Sequence, residues 1–108
     1  INLLSIQIRI LILHMERNDI YKILKEQGYP EFMLEKTYNK IMNLQPTVAN
    51  AFDQWLNHGV NPDLSIEGYT FMHLVSKMNM QPIGAFLTLD WLMRDPDKAK
   101  LALTQGVK

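Results

Sequence analysis

Residues 43–59 read NLQPTVANAFDQWLNHG and residues 79–95 read NMQPIGAFLTLDWLMRD. In the first stretch Pro46 breaks the preceding run and Thr47 can cap a new helix. Val48, Ala51, Phe52, Trp55 and Leu56 then form an apolar stripe at helical spacing, and Gly59 supplies a left-handed stop. In the second, Pro82 opens a helix with Ala85, Phe86, Leu89, Leu92 and Met93 on one side. The two stretches also match each other. Asn43-Leu44-Gln45-Pro46 returns as Asn79-Met80-Gln81-Pro82, and Ala49, Trp55 and Leu56 return as Ala85, Trp91 and Leu92, all displaced by 36 positions. Upstream, Gly28-Tyr29 matches Gly68-Tyr69 at a displacement of 40, a difference of about one helical turn, which keeps the same face apolar. The expectation is two related helix-turn-helix units, 18–59 and 60–108.

Outward from these helices the punctuation stays helical. Asn18 or Asp19 caps a first helix with Ile20, Ile23, Leu24 and Gln27 on one face, stopped by Gly28. Pro30 suits the first turn of a second, in which Leu34, Tyr38, Ile41 and Met42 share a face as far as Asn43. The segment Val60-Asn61-Pro62-Asp63 reads as a turn, because proline excludes helical geometry from the residue before it. A fourth helix is expected from Ser65 to Asn79, and Asp95-Pro96 caps and starts a sixth that ends at Gly106. The fold class that follows is all-α: a small bundle of five to six short helices, with no strand needed after Met15. Residues 15–108 form a single helical domain.

Ile1 to Leu13 are almost wholly apolar, but the run is too short for a membrane span and has no basic stretch before it to make a signal peptide. Ser5, Gln7 and Arg9 alternate with Ile6, Ile8 and Ile10 as in a strand, while helical context favours an extension of the first helix. His14-Met15 is also the dipeptide left by a common cloning junction, so residues 1–14 read equally as a foreign leader and as a native segment. If native, their isoleucines and leucines exceed what a small core absorbs and suit a homo-oligomer contact.

Chain length allows one core: 108 residues bury about two-thirds of the unfolded surface. Apolar residues at 47% and charged residues at 20% are ordinary globular usage. Eleven Lys and Arg balance eleven Asp and Glu, so no global field draws in nucleic acid or an anionic membrane. With no cysteine there is no disulfide framework and no thiolate chemistry, which fits a reducing cytoplasm.

Gly28-Tyr29-Pro30, a helix, a short loop and a third helix ending Asp53-Gln54-Trp55-Leu56-Asn57-His58-Gly59 together resemble the ubiquitin-associated (UBA) domain, over about residues 18–59. The resemblance implies an apolar protein-binding patch made by Gly28 and Tyr29 with Trp55 and Leu56. Gln27 departs from the pattern, standing where the family usually carries an apolar residue.

No catalytic constellation is visible, and neither enzymatic activity nor a cofactor is expected. His14, His58 and His73 lack ligand partners at metal spacing. Asp95 and Asp97 flank Pro96 as helix-start charges, and Ser5, Ser65 and Ser76 lack a nucleophile's elbow and base. Met33, Met72, Met78 and Met80 suit either core packing or an adaptable binding surface. The reading is a protein-protein interaction module with a protein partner. The alternative is a helix-turn-helix DNA binder reading bases through Asn50, Gln54 and Asn57. That helix has no Lys or Arg and carries Asp53, whereas phosphate neutralisation supplies most of the affinity for DNA. Mixed-sequence duplex DNA titrated at low salt is therefore expected to show no appreciable association by fluorescence anisotropy. Tight and steeply salt-dependent binding would reverse the ranking.

Overall fold

The computed structural model describes residues 17–105, so the reading of residues 1–14 and the stop at Gly106 lie outside the described residues. Among the described residues six α-helices follow one another: α1 (Arg17–Glu26), α2 (Leu34–Met42), α3 (Pro46–His58), α4 (Phe71–Ser76), α5 (Pro82–Arg94) and α6 (Pro96–Thr104). A 3-10 turn, Glu31–Met33, leads into α2. The all-α bundle expected from the sequence is what forms, and no helix among the described residues is long and apolar enough to cross a membrane.

Local chemistry accounts for most boundaries. Gly28 and Gly59 take φ values of 90° and 65°, the left-handed geometry in which side chains other than glycine are strained. At Gly59 the amide of Val60 reaches back to the Gln54 carbonyl and that of Gly59 to Trp55, which satisfies two carbonyls at the end of α3. Asp95 caps α6 by accepting from the Lys98 amide, with Pro96 at the first helical position.

Four details differ from expectation. Pro46 itself opens α3, with Gln45 rather than Thr47 at the cap. Pro30 stands just before the 3-10 turn in extended geometry, so α2 starts later, at Leu34. Asn18 and Asp19 fall inside the first turn of α1. The fourth helix begins at Phe71, because residues before it form a small antiparallel hairpin, β1 (Ser65–Ile66) and β2 (Tyr69–Thr70), and it ends at Ser76. Its turn residues Glu67 and Gly68 both have positive φ, as a two-residue turn matching strand twist requires. Thr70 then caps α4 through its hydroxyl, accepting from the His73 amide at 3.1 Å.

The matched stretches occupy helices of equal length, since α3 and α5 each run 13 residues from a Gln-Pro start. Upstream the two units diverge: Gly28 ends a helix, whereas Gly68 sits in the hairpin turn. Asn43 and Asn79 also differ, with φ of −112° and 57°.

Helix α5 is the hub, packing against α3, α4, α6 and β1. Ile83, Ala85, Phe86, Leu89 and Leu92 are all buried. Phe86 is central, with ring centroids 5.3 Å from Phe52, 5.5 Å from Trp55 and 4.8 Å from Phe71. Ile20, Leu24, Leu34 and Ile41 bring the α1–α2 pair into the same core. Phe86→Ala is expected to destabilise the chain by about 3–5 kcal/mol in urea unfolding, since it removes a close-packed ring and leaves a cavity. Phe32→Ala, at a side chain 84% exposed, should stay within about 0.5 kcal/mol. Equal losses would place the core elsewhere.

Candidate functional site

Proline starts leave a capping problem that side chains distant in sequence solve. Neither Gln45 nor Gln81 caps its own helix with its side chain. The amide of Gln45, at the start of α3, donates instead to Asp90 Oδ1 on α5 at 2.8 Å. A carboxylate there also meets the positive end of the α3 dipole. Asp90 Oδ2 holds the Arg94 guanidinium at 2.7 Å, one turn along α5, and the other end of that guanidinium donates to the carbonyl of Asn43, the residue capping the end of α2. One carboxylate and one guanidinium thus bind the end of α2 and the start of α3 to the end of α5.

The opposite end of α5 is tied in the same way. Gln27 Oε1 accepts from the Ile83 amide at 3.1 Å, in the first turn of α5. An apolar side chain at position 27 would leave that amide unmet. The Tyr29 hydroxyl lies beside Gly84, and partial burial raises its pKa above the ordinary phenol value.

Beside the Asp90–Arg94 tie a groove of about 610 Å³ opens, its walls including Lys40, Asn43, Leu87, Thr88, Trp91 and Arg94. A smaller cleft of about 280 Å³ lies at the Tyr29 end, beside Met33 and Met80. Trp91 is 40% exposed, one turn beyond the partly covered Leu87 on the same face of α5. It stands outside the aromatic cluster of Phe52, Trp55, Phe71 and Phe86.

The residues singled out from sequence are placed differently. Gly28 is exposed and Tyr29 partly covered, against the start of α5, while Trp55 and Leu56 are partly covered against the core. The two pairs meet different parts of α5: Tyr29 lies beside Gly84, and Trp55 against Phe86. On α3, Asn50 and Gln54 face solvent, but Asn57 donates its amide to Asp53 Oδ1 at 2.6 Å, and Asp53 is buried. Of the four methionines, only Met72 is largely exposed. No group of three or more His, Asp or Glu among the described residues could hold a metal ion.

Sequence reading missed the groove. Asp90 and Arg94 were available as an i, i+4 pair, yet nothing local shows that Asp90 also meets residue 45. No protein-family model matches the chain, and neither a curated protein nor a solved structure is significantly similar to it.

Asp90→Ala removes a bond to a backbone amide and the partner of Arg94 together, and should cost about 1–3 kcal/mol. Arg94→Ala on that background should cost much less than on the wild type, because both act through one network. Strict additivity in urea unfolding would mean that the contacts at Gln45 and Asn43 are independent.

Proposed function

We propose that this chain is a protein-interaction module that docks a segment of another polypeptide in the groove between α2 and α5. The observation that carries the reading is Trp91. A large aromatic side chain, 40% exposed, stands beside Leu87 in a concavity of about 610 Å³ whose two sides are tied together through Asp90 and Arg94. Tryptophan is enriched at the centres of protein interfaces, where a rigid ring buries much surface at small conformational cost. The indole is carried by a helix whose other face is buried core, so it is presented without a flexible loop.

Trp55 and Leu56, suggested by the UBA resemblance, support core packing better than a shared patch with Gly28 and Tyr29, and the docking surface is accordingly assigned to Trp91. Ubiquitin is one candidate partner among polypeptides. The exposed positions of α3 offer no Lys or Arg, so the DNA reading gains nothing from the fold.

Selection of a random twelve-residue peptide library against the immobilised chain tests the proposal. Enriched peptides are expected to lose about tenfold or more in affinity to Trp91→Ala and to keep their affinity for Phe32→Ala. Circular dichroism should show both variants folded. Absence of any enriched peptide, or binding indifferent to Trp91, would overturn the assignment.

A further inference from the structure

We infer that the segment received by this groove pairs bulky apolar side chains with carboxylates. This rests on the docking role proposed for Trp91 and goes further by fixing the chemistry of the occupant. Leu87 and Trp91 give the groove an apolar wall. Its charges are unequal. Lys40 and Arg94 line it, and Lys36 stands one turn before Lys40 on the same face of α2. Asp90 is the one acidic residue among the described residues that line the groove, and both of its oxygens are engaged, one by the Gln45 amide and the other by Arg94. Lys36 and Lys40 have no ion-pair partner among the described residues. In a chain of zero formal net charge, Lys40 thus stands without an ion-pair partner among the described residues at the apolar wall of this groove, with Lys36 one turn before it.

Such an edge selects by sign. Charges at the rim of an interface steer encounter and disfavour like-charged partners more than they add raw affinity, which leaves the apolar contacts to supply most of the binding. A carboxylate beside a leucine, isoleucine or phenylalanine places its charge against Lys36 and Lys40 while the apolar group covers the indole. Single-stranded nucleic acid, which also stacks on indoles, is disfavoured: the carboxylate of Asp90 lines the same groove, and two lysines are a short track for a phosphate backbone.

The test uses three synthetic twelve-residue peptides of matched apolar content, carrying Asp and Glu, Lys, or only neutral polar residues between Leu and Phe, together with a uridine oligonucleotide. In the Trp55→Phe variant the indole fluorescence reports Trp91 alone. The acidic peptide is expected to bind best, weakening by about tenfold in the double variant Lys36→Glu, Lys40→Glu, which should instead prefer the Lys peptide. Equal binding of all three peptides, lost only on Trp91→Ala, would overturn the acidic preference and leave the docking role standing. No response to any peptide would remove both. Tighter binding of the oligonucleotide, with steep salt dependence, would replace the polypeptide with nucleic acid.

Discussion

The fold depends on how helix starts that carry no cap of their own are satisfied. Proline fixes the entry angle of α3 and α5 and removes one amide, but the glutamine before it does not cap with its own side chain. Asp90 and Gln27 each meet one amide at these starts from elsewhere in the chain, 45 and 56 residues away. A cap borrowed from another helix is also a tertiary constraint. Gln27 fixes the α1 end to the start of α5, and Asp90 with Arg94 fixes the α2–α3 junction to its far end. Between those two polar ties, the apolar core closes on Phe86 and Leu89.

The groove is a by-product of the same arrangement. With the end of α2 joined to the end of α5 through Asp90 and Arg94, the side chains beside that junction either fill the space or line it. The large buried residues of α5 are committed to α3, α4 and α6, on the other side of the helix. Leu87 and Trp91 are left facing the gap, with Lys40 across from them. The proposed docking role thus falls to a helix whose buried residues serve the core and whose Leu87 and Trp91 line the groove.

Much of the fold was legible because helix ends carry their own chemistry. Pro46, Pro82 and Pro96 mark starts, and Gly28 and Gly59 mark stops, at positions where backbone geometry permits few alternatives. The hairpin before α4 escaped notice because Glu67 stands in a left-handed conformation usually given to glycine or asparagine, so Glu67-Gly68 carries a weak turn signal. The site was harder to see. Trp55 and Trp91 occupy matching places in matching helices, yet one packs on Phe86 and the other faces solvent, since exposure depends on which helix lies alongside. The role of Gln27 is set by Ile83, 56 residues away, which no local pattern shows.

The central claim is that Trp91 is an accessible indole on a cation-lined groove while Trp55 belongs to the core. Quenching of the single tryptophan in the Trp55→Phe variant measures this directly, with acrylamide for access and with iodide against caesium for the sign of the local field. The account predicts ready quenching by acrylamide and stronger quenching by iodide than by caesium. A blue-shifted emission that none of the three quenches, or caesium quenching at least as strong as iodide, would contradict it.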